Sequence, residues 1–222
     1  MIPRKNLILI AVLLCLYGVY KLIYPTGSFN YRVTIAVDTP EGVKIGSAVR
    51  KVTASDAPRI SPHAIGSVSV KGEAVVIDLG ERGVLFALLR SETSVDYGYR
   101  IAFNNFVPNG ALTGEVIRRY SSLRGKKELA FDKLPMLVRF RDINDPKTVE
   151  LVDPNDLAAS FGEGVKLKSA SIEITDDAVT TGVEKYLPSF GKETGYLEWF
   201  RSLPYGDSRK IGPYDFKKGT KK

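Results

Sequence analysis

The chain has 222 residues, 44% hydrophobic and 26% charged, with a single cysteine, Cys15, and a formal net charge of +7. One cysteine excludes an internal disulfide framework and a cysteine-ligated metal. The charge would suit nucleic acid, yet residues 1–28 carry three cations and no acid, and residues 201–222 carry seven cations and two acids, which leaves the body between them at −1. Nucleic-acid domains concentrate positive charge on a folded face, so no nucleic-acid partner is expected.

Arg4 and Lys5 precede an apolar run, Leu7 to Tyr24, that meets no charge until Lys21 and stops at Pro25. As a helix this run spans about 27 Å, against a hydrocarbon core of about 30 Å. Tyr17, Tyr20 and Tyr24 gather with Lys21 at the outer end, where amphipathic rings and a snorkelling ammonium suit a membrane interface. Cations ahead of the run predict a single pass, N-in and C-out. A cleaved secretory signal is the rival, with Thr26-Gly27-Ser28 as the peptidase site and a mature start near Phe29. A buried core helix is the third reading, and the basic start and the three tyrosines count against it. Anchor or signal, the remainder is exported, and its lack of cysteine suits the periplasmic side of a bacterial inner membrane.

The exported part reads as α+β. Tyr31, Val33, Ile35 and Val37 alternate with polar neighbours as a half-buried strand. Pro40-Glu41-Gly42 turns the chain, and Val43 to Thr53 returns, with Gly46-Ser47 as a bulge or close backbone approach. After a proline-bounded loop at 54–64, Ser67–Val70 and Glu73–Leu79 flank Lys71-Gly72, which reads as a hairpin turn. The apolar run Val84–Leu89 completes five strands, an antiparallel meander or small sandwich. Leu112, Val116, Ile117, Tyr120 and Leu123 recur at helical spacing up to Gly125. Leu137–Phe140 and Val149–Val152 are strands around Asn144-Asp145-Pro146. Asp153-Pro154 opens a helix of about two turns ending at Gly162, and Val165–Thr175 is a strand that needs a bulge near Ser169-Ala170. Thr181 to Glu184 has capping-box spacing. Tyr196, Trp199, Phe200 and Leu203 share a last helical face. The expected organisation is a membrane segment at 1–28, an exported α+β domain at 29–204 with room for two subdomains meeting near 105–135, and a basic flexible tail at 205–222.

Candidate chemistry is sparse. Asp142, Asp145, Asp153 and Asp156 lie close in sequence, and Asp176-Asp177 adds a pair, but the calcium-loop series is missing and several of these acids hold turn or cap positions. His63, the lone histidine, has no nucleophile elbow nearby. Ser189-Phe190-Gly191-Lys192 matches S-x-x-K without its companion motifs. No cofactor motif and no metal-ligand set is read from the sequence. Arg118, Arg119, Arg124, Lys126 and Lys127 form a basic cluster, read as a solvated helix end or as a surface for anionic lipid or a partner. Trp199 and Phe200, among further aromatics, either close the core or offer a partner hot spot.

The stretch Phe140 to Val149, with Val152 to Gly162, Ile172 to Asp177 and Val37 to Gly42, resembles uncharacterised single-span proteins of bacterial envelopes. That resemblance implies a fold and a location and carries no activity. The expected function is therefore a membrane-anchored periplasmic protein, a non-enzymatic binding or scaffold domain for an envelope partner. The alternative is a hydrolase or transferase built on Asp142, Asp145, Asp176 and Asp177.

Overall fold

Residues 4–58, 66–107, 110–187 and 194–219 are described in the computed structural model. A first helix, α1 (Arg4–Ile23), is followed by a sheet-rich domain. The strands β1 (Thr26–Thr39), β2 (Gly42–Ser55), β3 (Ser67–Glu73), β4 (Val75–Asp78) and β5 (Val84–Ala87) come before the helices α2 (Tyr97–Phe106) and α3 (Gly114–Arg118). Then come β6 (Lys126–Glu128), β7 (Leu137–Phe140), β8 (Val149–Leu151), α4 (Ala158–Phe161), β9 (Lys166–Thr175), α5 (Thr194–Ser202), α6 (Pro213–Phe216) and β10 (Lys217–Lys218). These make two antiparallel sheets, one ordered β10-β3-β2-β1-β9-β6 and one ordered β4-β5-β7-β8.

β1 and β2 form a long hairpin whose turn is Pro40-Glu41, closed by the Thr39 hydroxyl donating to the Gly42 carbonyl at 2.7 Å. Large side chains of β1 stand opposite small ones of β2 on the inner face: Ile35 opposite Gly46, Val33 opposite Ala48. The small face lets the second sheet come close. A Cβ on Gly46 would lie 2.2 Å from the Val76 carbonyl oxygen of β4, so Gly46 is a close approach and its pairing with Ile35 stays regular. The outward residues of β2 include Val43 and Ile45, the latter 67% exposed.

Lys71-Gly72 is not a hairpin turn. β3 runs straight through it, and the chain crosses to the second sheet at Ala74. The cause is Arg50, wholly buried on the inner face of β2. Gly72, at φ +151°, passes where a Cβ would lie 2.8 Å from the Arg50 Cγ. The Arg50 Nε donates to the Glu73 carbonyl at 3.0 Å, and Nη2 donates to the Ala87 and Leu88 carbonyls at 3.3 Å. Nη1 has no hydrogen-bond partner among the described residues.

One core cluster lies between the sheets and takes Phe29 to Val37 from β1, Val75 and Ile77 from β4, Ile101 and Phe103 from α2, and Ile117 and Tyr120 from the α3 region. The two sheets and residues 105–135 thus share one core, and the division expected near 105–135 does not separate them. A second cluster covers the other face of the small sheet with Val183, Leu187, Ile211 and Phe216, the ring of Phe216 standing edge-on to Phe86 at 5.5 Å. Burial on both faces accounts for the unbroken apolar run at Val84–Leu89.

The expected flexible tail is instead part of the domain over 211–218. Ile211 and Phe216 are buried, Lys217 pairs with Glu73 on β3, and the Phe216 carbonyl accepts from the Ala74 N–H at 2.7 Å. Charge counted along the sequence missed the two apolar residues that tie this segment down. The helix over Leu112 to Leu123 is shorter than its periodicity suggests, because Thr113 caps α3 and a 3-10 turn, Tyr120–Ser122, replaces the next turn; its apolar face nevertheless lies on the core. The two-turn helix after Asp153 is a single turn ending at Gly162, and the bulge in β9 falls at Lys168, one residue before its expected place. The Thr181 capping box does not form; Gly182 takes the cap position.

Burial raises the hydroxyl pKa values of Tyr31, Tyr97, Tyr120 and Tyr196, that of Tyr120 to about 12; Arg50 partly offsets the shift at Tyr31 and Tyr97. A folded pKa above the unfolded value of 10.0 means that this stabilisation is complete below pH 10 and is lost as pH rises through the raised values. Near pH 11, where a free tyrosine is about nine-tenths ionised, phenolate absorbance of the folded protein should therefore fall short of the eleven tyrosines, and the deficit should appear together with unfolding. Gly46→Ala should lower unfolding free energy by about 2 kcal/mol, read as a lower urea midpoint at unchanged slope. The opposite sign, the usual effect of replacing a strand glycine, would contradict the close approach at Val76.

Candidate functional site

Two regions stand out: an open cleft on the domain and the basic end nearest α1. The cleft has two neighbouring lobes of about 810 Å³ and about 690 Å³ that share Glu92, Thr93, Met136 and Leu151. Met136 ends the approach to β7 and Leu151 ends β8, so strand pairing places both on the floor. The loop before α2 supplies one wall, from Glu92 to Asp96, held by Ser91 accepting from the Ser94 N–H at 3.1 Å. Phe200 of α5 and the exposed Tyr205 supply the opposite wall of the larger lobe.

The rim is polar. Asp207 is held down to about 2, first by its hydrogen bonds from the Arg209 guanidinium and then by the Arg209 N–H, so it is anionic throughout the physiological range. Lys210 lies over the Phe200 ring at 5.6 Å. Behind the wall, burial raises the Asp215 pKa, opposed by the Gly212 N–H donating at 2.8 Å and by Arg90 at 3.8 Å. An apolar floor with a few fixed polar groups can seat a peptide or a small ligand.

The structure separates the aromatic pair expected to act together. Trp199 packs against the second core cluster, with its ring 5.5 Å from Tyr196, and Phe200 faces the cleft. Tyr205 belongs to the aromatic run that the sequence offers as a binding surface, whereas Glu92, Met136 and Leu151 were not legible as site residues, because four chain segments distant in sequence make the cleft and none carries a motif.

The carboxylates serve their own turns. Asp142 accepts from the Asn144 N–H at 2.9 Å, Asp145 from the Lys147 N–H at 3.0 Å, Asp153 from the Asn155 N–H at 2.8 Å and Asp156 from the Ala159 N–H at 3.1 Å. Asp177 pairs with Arg32, and Asp176 is exposed. Among the described residues no three of His, Cys, Asp or Glu converge as a metal site would require. His63, Ser189 and Lys192 lie outside the described residues.

At the other region, α1 is long and apolar enough to cross a membrane, and none of its apolar stretch is buried in the domain. Tyr17 and Tyr20 lie exposed beside Lys21, whose ammonium is 5.8 Å from the Tyr17 ring, and the Tyr20 and Tyr24 rings are 5.3 Å apart. Arg118 donates to the Leu22 carbonyl at the end of α1. Arg119 pairs with Glu115 one turn back at 2.7 Å. Lys126 and Lys127 lie on the edge strand β6, with Lys127 donating to the Asn105 carbonyl.

Comparison with family models, curated proteins and solved structures finds no match to this chain.

If Asp145 serves its turn, Asp145→Ala should cost about 1 kcal/mol and Asp145→Asn much less, since the amide oxygen can still accept from Lys147. Calcium should leave both midpoints unshifted; a calcium-dependent rise lost in Asp145→Asn would instead assign the residue to a metal.

Proposed function

We propose that this chain is a single-pass protein of the bacterial inner membrane that presents its α+β domain to the periplasm as a non-enzymatic binding or scaffold module for an envelope protein. The observation that carries this reading is α1. Its large apolar side chains from Leu7 to Ile23 are exposed on every side of the helix, and the domain buries none of them. An apolar surface of that size is unfavourable in water and satisfied in hydrocarbon.

Orientation rests on Arg4 and Lys5 ahead of the span. The periplasmic side follows from export of a domain free of cysteine, and the likeness of 140–149 and 152–162 to single-span envelope proteins points the same way. The binding role rests on the cleft, where Met136 and Leu151 form an apolar floor between walls that carry Phe200 and charged groups. Among the described residues no three of His, Cys, Asp or Glu come together to hold a metal ion, and Asp142 and Asp145 accept hydrogen bonds within their own turn, which favours the binding reading over a hydrolase.

Full-length protein should stay with membranes washed at alkaline pH, and its domain should be digested by protease added outside spheroplasts. A soluble mature chain starting near Phe29 would overturn the anchor. Photocrosslinkers placed at Thr93 and at Tyr205 should give the same discrete adduct in intact cells, and one at Asn144 should give none. No adduct from either wall would remove the cleft as the partner site.

A further inference from the structure

We propose that α3 and the residue after it, Gly114 to Arg119, dock on the anionic phospholipid surface that α1 enters, with Arg118 and Arg119 binding lipid phosphates. The inference rests on α1 spanning a bilayer and adds a second, electrostatic contact between the domain and that bilayer. The Arg118 guanidinium donates to the Leu22 carbonyl in the last turn of α1, so it sits where the span leaves hydrocarbon. Asp56 clamps α3 to the same place: its carboxylate accepts from the Gly114 N–H at 2.9 Å and its own N–H donates to the Pro25 carbonyl at 3.1 Å. Ile117 and Tyr120 turn into the core, which leaves Arg118 and Arg119 exposed.

Residues 114–128 hold Arg118, Arg119, Arg124, Lys126 and Lys127 against the acids Glu115 and Glu128. The Arg119–Glu115 pair is exposed on both sides, so it is weak and readily exchanged for a phosphate. The planar guanidinium fork matches phosphate oxygens two at a time. Distance sets Lys126 and Lys127 apart from Arg118 and Arg119. Lys126 pairs with Glu173, whose partner on β1 is Arg32, six residues beyond Thr26 and about 20 Å along the strand. That exceeds two Debye lengths of about 8 Å each. Arg118 and Arg119 therefore carry the contact, and Lys126 and Lys127 add little.

The test uses the full chain in nanodiscs of phosphatidylcholine alone and of phosphatidylcholine mixed with phosphatidylglycerol, read by hydrogen exchange. Each arginine at an anionic surface contributes about 1 kcal/mol, a factor of about five in the docked population. Amides of 114–119 should exchange about 25-fold slower in the anionic discs, and the difference should vanish in high salt. Arg118→Gln with Arg119→Gln should abolish the difference while β1–β2 amides stay protected, which separates lost docking from misfolding. Lys126→Gln with Lys127→Gln should reduce it only slightly. Equal exchange in the two discs, or a larger loss from the lysine pair, overturns the proposal. Failure of the intact chain to enter either disc overturns the spanning reading instead.

Discussion

The fold turns on a buried arginine. Arg50 sits on the inner face of β2, opposite Tyr31 of β1, and its guanidinium reaches the carbonyls of Glu73, Ala87 and Leu88. Those carbonyls mark the crossover from the large sheet to the small one and the end of β5. Taking a charge from water costs several kcal/mol, and hydrogen bonds to a charged group return about 1.5–3 kcal/mol each. Three such bonds roughly offset the cost, so the gain is positional more than energetic. Removing those carbonyls would leave the charge stranded, and this holds the crossover and β5 in one arrangement.

Other parts follow from that node. Gly72 must pass over the Arg50 stem, so β3 continues beyond the expected turn and ends at Glu73, the residue whose carbonyl Arg50 takes. The buried Glu73 carboxylate points to the other side, accepting from the Val183 N–H at 2.8 Å and facing Lys217 at 3.7 Å. The C-terminal segment is drawn in through these contacts, and it covers the small sheet with Ile211 and Phe216. The same cover brings Phe200 to the cleft. A basic terminal stretch thus becomes a structural wall.

The connection to α1 is local and polar. Pro25, Asp56, Gly114 and Arg118 tie the exit of the helix to α3 through hydrogen bonds, while among the described residues the apolar stretch of α1 is not buried against the domain. A helix held this way keeps its apolar surface free of the domain.

Local pattern was enough for much of the chain. Alternation in β1, the Pro40-Glu41 turn, the strands around Asp145-Pro146, the bulge in β9 and the apolar span of α1 follow from periodicity and turn chemistry over a few residues. The helix α2 was not legible, since Tyr97 to Phe106 is rich in aromatic, glycine and asparagine residues of modest helix propensity and forms by packing Ile101 and Phe103 on the core. β2 shows the limit most plainly: Val43 and Ile45 face out, and Gly46, Ala48 and Arg50 face in. By itself the sequence determined the longer strands, several of the turns and that one helix is long and apolar enough to cross a membrane, because those depend on neighbours in the chain. Tertiary structure decided which face of β2 is buried, where the chain changes sheet, that the basic tail folds back and which residues share a cleft. Those depend on groups far apart in sequence, above all on a buried charge that must find carbonyls wherever the fold brings them.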